Sequence, residues 1–277
     1  MQPTCLSLLK NHDHCLLNAQ LSPKAAADKS AYAEFRFSDD EVYMTKLSDA
    51  VDNGNGTYTF SCSINPIDID REFKAVIRYS DNTTGSELTY SARQYFNKLL
   101  SANILDEASI KFICSLINFS ERLNEYSGRP VADENNITLS EDHTVGDEYK
   151  AVTRKSGSEL KASFSSININ ERLNLIIKFT LEDGKSISDY RFTVNGKTVS
   201  AVQEDNIASI TLTKVSPDMY SKMYTFRAEA VSDPSVYAEV DYSAFSYARL
   251  VMEKSSDEKL INTMKALVIY GKAANNL

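Results

Sequence analysis

The sequence has no tryptophan, and among its 277 residues there are only 3 histidines, 4 cysteines, 6 prolines and 9 glycines. Each scarcity removes a class of protein. So little glycine and proline excludes collagen-like and low-complexity chains. The cysteines, at positions 5, 15, 62 and 114, match no zinc-binding or redox spacing, and a chain of this length does not depend on disulfide staples. No Gly-x-Ser-x-Gly elbow, glycine-rich phosphate loop or His-Glu-x-x-His motif occurs. His12, His14 and His143 read as tail or linker residues, so a histidine-based hydrolytic centre has nothing to build on. No apolar run is long enough to cross a bilayer, which argues against membrane insertion within this chain. No Lys/Arg cluster offsets the formal charge of −8, so no nucleic-acid partner is expected. The opening stretch, "MQPTCLSLLKNHDHCLLNAQ", lacks a basic region followed by a sustained apolar segment and is not an intact signal peptide.

What the sequence does contain is a repeat. "YSARQYF" begins at Tyr90 and "YSAFSYA" at Tyr242, and the match extends on both sides (242 − 90 = 152). Downstream, Leu99 and Leu100 align with Val251 and Met252. After a one-residue adjustment Asp106, Ile110, Leu116 and Phe119 align with Asp257, Ile261, Leu267 and Tyr270. Upstream, Pro66 and Phe73 align with Pro217 and Tyr224. Further back, "AYAEFRF" resembles "LNLIIKF", which ends at Phe179, and "AQLS" (Ala19–Ser22) echoes "ASFS" (Ala162–Ser165). These matches predict a tail over residues 1–14, one module over 15–127, a polar acidic linker over 128–149 and a second module over 150–277. With so few residues ahead of the first module, the start reads as a cut at a domain edge.

Within each copy, short runs of β-branched and aromatic residues alternate with turn signals. Asp183-Gly184 and "NGNG" are turn sequences, and "DYRFTVNGKTVSAV" is a hairpin folded at Asn195-Gly196. The alternation of "TYTFSCSI" and "ASITLTKV" falls out of phase, which predicts a bulge or gap there. After the last strand the period becomes helical: Ala92, Tyr95, Phe96, Leu99 and Leu100 form one stripe, repeated by Ala244, Tyr247, Ala248, Val251 and Met252. Ser91 and Ser243 stand at N-cap positions, and Asp106 and Asp257 at the start of a second helix. The expected fold is therefore α+β and mostly β: two tandem antiparallel β-sandwich (Ig-like) modules, each ending in a packed αα-hairpin. In this reading the first tyrosine of each motif ends a strand, the serine caps the helix that follows, and the second tyrosine, Tyr95 or Tyr247, lies on the buried stripe.

Four groups invite a chemical reading. "HDHC" (His12 to Cys15) holds metal-ligand types but no further cluster completes it. "DIDRE" alternates Asp68, Asp70 and Glu72 as a calcium loop does, yet lacks the turn glycine and the closing glutamate. Its counterpart carries Met219, Ser221 and Met223, so no metal site common to both modules is expected. Cys62 and Cys114 fall near core-facing positions, aligned with Thr213 and Lys265, and a bond between them stays open. Tyr190, Tyr220 and Tyr237 lie near turns and are candidate exposed platforms for a sugar.

The second copy's "VDYSAFSYARLVMEKSSDEKLINTMKALVIYGKAANNL" resembles the C-terminal signature of a repeat in secreted and cell-surface proteins of anaerobic gut Firmicutes of the Ruminococcus type. That repeat stands beside dockerin, leucine-rich-repeat or wall-attachment segments. "LNLIIKFTLEDGKSISDYRFTVNGKTV" is similar to its sandwich portion, and the first copy departs from it with Ser120 where Gly271 stands. The resemblance implies export to the cell surface or medium, and it brings no activity, cofactor or catalytic residue. The expected function is a non-catalytic structural spacer or adhesion unit. A module binding polysaccharide or a host glycoprotein, or the accessory region of a longer secreted enzyme, are the alternatives.

Overall fold

The structure is a computed structural model that describes residues 14–21, 26–37, 41–131, 142–156, 159–169 and 173–277, with 14–20, 63 and 164 described by backbone alone. Among the described residues are antiparallel sheets and four α-helices, with more strand than helix. Two compact units divide the chain after Glu121, and Arg122–Pro130 group with the second.

In the first unit, β1 (His14–Gln20), β5 (Thr57–Ser63) and β4 (Val51–Asp52) form a sheet of order β1-β5-β4. A second sheet runs β3-β2-β6-β7, from β3 (Val42–Lys46), β2 (Tyr32–Phe37), β6 (Phe73–Arg78) and β7 (Leu88–Tyr90). Helices α1 (Ala92–Ala102) and α2 (Glu107–Tyr126) follow. In β2, Ala33, Phe35 and Phe37 lie on the buried face, whereas Arg36 is exposed. Phe35, Phe60, Ile77, Phe96 and Ile117 are essentially inaccessible to solvent. Each such side chain contributes about 1.5–3 kcal/mol through removal from water.

In the second unit, β9 (Lys161–Asn168), β10 (Leu173–Thr180), β13 (Val202–Glu204) and β14 (Ile207–Val215) form a sheet of order β13-β14-β10-β9. The other sheet runs β12-β11-β15-β16-β8, built from β8 (Val152–Ser156), β11 (Tyr190–Val194), β12 (Lys197–Thr198), β15 (Tyr224–Ala230) and β16 (Tyr237–Tyr242). Helices α3 (Ala244–Lys254) and α4 (Glu258–Ala274) end the chain. The β11–β12 hairpin turns at Asn195 (φ 48°) and Gly196 (φ 77°), the left-handed pair that such a turn requires.

The same bonds recur in both units. A 3-10 turn opens at Pro66 in one and Pro217 in the other. The Arg93 amide donates to the Ile69 carbonyl at 2.9 Å, and the Phe245 amide to the Tyr220 carbonyl at 3.1 Å. Ser91 accepts from the Gln94 amide and Ser243 from the Ser246 amide, each closing a capping box. Asp106 accepts from the Ser109 amide and Asp257 from the Lys259 and Leu260 amides, starting α2 and α4.

Pairing corrects the sequence alignment ahead of these points. "AYAEFRF" lies in β2, which pairs with β3 and β6; "LNLIIKF" lies in β10, which pairs with β14 and β9. By its neighbours β2 corresponds to β11, and β1 to β10. "ASFS" belongs to β9, which has no counterpart among the described residues of the first unit, and neither has β8. β2 and β10 both place apolar residues on alternate positions, so one strand's pattern fits the other's until hydrogen bonds fix the order.

The predicted bulge is in β14. Leu173 and Leu175 of β10 oppose Val215 and Leu212, so β14 carries one extra residue. Lys214 absorbs it at φ 61°, its amide donating to Asn174 Oδ1 at 3.0 Å. Phe60 therefore matches Ile210 (210 − 60 = 150), and Cys62 matches Leu212 rather than Thr213.

Candidate functional site

The most organised polar surface is the outer face of the β12-β11-β15-β16-β8 sheet. Alternation turns Phe226, Ala228, Ala238 and Val240 inward, which leaves Thr225, Arg227, Glu229, Tyr237, Glu239 and Asp241 on the other side. Register then lines the charges up across strands: Arg191 opposes Glu229, Arg227 opposes Glu239, and Glu239 opposes Arg154. Arg191 pairs closely with Glu229 Oε1. Arg227 Nε lies 2.8 Å from Glu229 Oε2, and its Nη1 3.2 Å from Glu239 Oε2. Arg154 reaches Glu239 at 3.0 Å and Asp241 at 2.5 Å, and the Thr225 hydroxyl donates to Asp241 at 2.7 Å. The Arg227 guanidinium also stacks over the Tyr237 ring, 3.9 Å from its centroid.

The ladder's electrostatics limit its chemistry. Burial works to raise the carboxyl pKa of Glu229, but the hydrogen bonds from Arg227 and Arg191 outweigh it and hold the group below its ordinary range. Asp241 follows the same balance, lowered by Arg154 and Thr225 against its burial. A proton donor near neutral pH requires the opposite shift. What the arrangement offers is a rigid row of ionised donors and acceptors beside one aromatic ring, suited to a polar, neutral ligand.

The first unit places a smaller cluster on its β3-β2-β6-β7 sheet. Arg78 grips Glu34 through Nε at 2.6 Å and Nη2 at 2.8 Å, and Arg36 adds a bond of 3.2 Å. These hydrogen bonds, Arg78's first, hold Glu34 below its ordinary pKa. In sheet position Arg78 stands where Glu229 stands in the second unit, so the two faces share neither residues nor charge order.

The sequence candidates are distributed as follows. Tyr190 and Tyr220 are buried, which corrects their expected exposure: Tyr190 lies near Phe192, and Tyr220 lies edge-on to Tyr270. Of the three tyrosines, Tyr237 alone reaches the surface, within the ladder. Asp70 is held by Arg93 at 2.6 Å, Asp68 lies 3.8 Å from Arg71, and Glu72 accepts from Gln94 at 3.4 Å, so these acids are spent on structure. No group of three or more His, Cys, Asp or Glu able to hold a metal occurs among the described residues. His12 lies outside those residues, and His14 is described only as backbone of β1. Cys62 is buried in β5 and Cys114 half-buried in α2, and the two are not joined to each other. Burial, with the charge of Glu41, pushes the Cys62 thiol up to about 12. No described helix is long and apolar enough to cross a membrane.

Sequence reading missed the ladder because its pairs join residues as far apart as Arg154 and Asp241. The available signal was Arg-x-Glu in "FRAEA" and Glu-x-Asp in "AEVDY", charges on alternate positions of adjacent strands. Comparison with protein-family models finds no match, and none of the curated proteins compared matches either.

Proposed function

We propose that the chain is two tandem Ig-like β-sandwich modules, each closed by an αα-hairpin, and that it serves as a non-catalytic spacer or adhesion unit at the cell surface or outside the cell. The observation that carries this reading is what the units share and what they do not. Scaffold bonds recur in both: the capping boxes, the Pro66 and Pro217 turns, and the amide bonds of Arg93 and Phe245. Surface chemistry does not recur, as the Glu34 and Glu229 clusters show. Repetition that preserves a frame and discards its surface suits length and mechanical continuity better than a duplicated active site. Pulling the full chain from its two ends tests this: two separate unfolding events of comparable released length are expected, and a single cooperative event overturns the tandem reading.

A second reading, in which the chain binds polysaccharide or a surface glycoprotein, is favoured by Tyr237 beside the Arg–Glu ladder. Sugars are held by an aromatic face with planar polar partners beside it. Retention on insoluble plant polysaccharide or mucin, lost on Tyr237→Ala, supports this reading. Passage through every such matrix leaves the spacer.

A further inference from the structure

Cys15 and Cys62 are direct Cα partners in the β1–β5 ladder. The pairing follows from where the hairpin ends are tied: the Leu21 amide donates to the Gly56 carbonyl at 2.8 Å, as the Leu181 amide does to the Asn206 carbonyl at 2.8 Å. Counting back from those bonds, the positions of Cys15 and Cys62 correspond to those of Leu175 and Leu212, also direct partners. Where the second unit opposes two leucines, one buried and one half-buried, the first unit opposes two cysteines. Directly opposed residues of an antiparallel pair have Cα atoms about 4.5 or 5.5 Å apart, depending on pair type. Both values fall within the roughly 4.4–6.8 Å that a disulfide spans.

We propose that Cys15 and Cys62 form a cross-strand disulfide that ties β1 to β5, with a small-molecule disulfide such as oxidised glutathione as the oxidant. One protein thiolate attacks the oxidant, forming a mixed disulfide and releasing one glutathione thiolate. The other loses its proton and attacks the protein-bound sulfur, releasing the second. Two protein thiols thus give up two protons and two electrons, and one glutathione disulfide becomes two thiols. The finished sheet hinders this chemistry, because burial keeps the Cys62 thiol protonated at neutral pH. The bond therefore closes while β1 docks during folding and is slow to form or to break afterwards. It rests on strand register, so it stands whether the chain is a spacer or a binding module.

The test is to refold the full chain from denaturant in a mixture of reduced and oxidised glutathione, quench with an alkylating reagent, and map the peptides by mass spectrometry. The expected product is a peptide pair linked through Cys15 and Cys62, with Cys5 and Cys114 alkylated. Recovery of Cys15 and Cys62 both alkylated, or of Cys62 linked to Cys5 or Cys114, overturns the proposal. The oxidised protein should also show a first-unit thermal midpoint higher by on the order of 10 °C than the reduced protein. That difference should vanish in Cys15→Ala and survive in Cys114→Ala. A difference persisting in Cys15→Ala assigns the effect to another pair and likewise overturns it.

Discussion

Behind the two Tyr-Ser-Ala motifs lies one slot filled in two ways. In the second unit Phe245 fills it, 1% exposed, with Tyr149 edge-on at 5.3 Å between centroids and Gly271 alongside. In the first unit the slot holds Arg93, 7% exposed, bonded to Asp70 at 2.6 Å and Glu121 at 2.9 Å. The residues aligned with Asp70 and Glu121 are Ser221 and Lys272, so both carboxylates stand in the unit that carries the arginine. Both occupants carry the same amide bond to the preceding turn, so the backbone did not choose between them. The lesson is one of coupling: an aromatic needs only space and neighbours, whereas a buried guanidinium needs two anions placed at once.

The largest effect should come from emptying the aromatic slot. Phe245→Ala is expected to cost about 3–5 kcal/mol, read as a lower urea midpoint for the second unit alone. Arg93→Ala leaves two carboxylates facing a buried void and should cost the first unit about 3 kcal/mol in the same measurement. Gly271→Ala comes next. A Cβ there would meet Phe245 at 3.0 Å and Tyr220 at 3.1 Å, an overpacking worth about 2 kcal/mol in the second unit. Ser120 occupies the aligned site in the first unit fully buried, and there the residue aligned with Phe245 is Arg93.

Acid should weaken both units through their ladders. Glu34, Glu229 and Asp241 have pKa values lowered on folding, so their stabilisation is complete above the ordinary carboxylate range and is lost as pH falls through the folded values. Thermal midpoints should hold from neutral pH to about 5 and drop below about 4. Glu34→Gln should reduce the acid-induced drop of the first unit, with Asp28 and Asp106 supplying the remainder, and leave that of the second unchanged. The smallest effect is expected from making the first slot resemble the second. Arg93→Phe together with Asp70→Ser, Ser120→Gly and Glu121→Lys should leave stability within about 1–2 kcal/mol of the parent, because exchanging a whole buried ion cluster for apolar packing is often neutral. A loss as large as that of Arg93→Ala alone would show that the slots differ in shape as well as in occupant.

Local signals in the sequence carried far. The caps at Ser91 and Ser243 and the Asn195-Gly196 turn depend on residues one to three apart, and they are where the spacing puts them. The helix stripes hold in part: Ala92, Phe96, Ala244, Ala248 and Val251 are buried, whereas Tyr95, Leu99, Leu100, Tyr247 and Met252 are half-buried, and Arg93 and Phe245 are buried off the stripe. Phase alone located the extra residue of β14. What stayed hidden depends on distant partners. β8 reads Val-Thr-Arg-Lys-Ser, exposed throughout, with no alternation to announce a strand; pairing to β16 makes it one. Tyr190 and Tyr220 sit beside turns yet are buried, and Tyr220 lies edge-on to Tyr270, 50 positions later in the chain. Arg93 looked like one more polar residue on a helix until Asp70, 23 positions earlier in the chain, proved to be its neighbour.

Lys214 shows how such a chain can change length and keep its interior. By taking one residue out of the ladder at φ 61°, it lets Ile210 and Val215 both stay buried although five positions separate them. A codon gained or lost at that spot is absorbed within a single backbone kink instead of inverting the rest of the strand. Duplicated copies can therefore drift apart in residue count without losing their fold, and a comparison that insists on a constant offset reads that harmless drift as divergence.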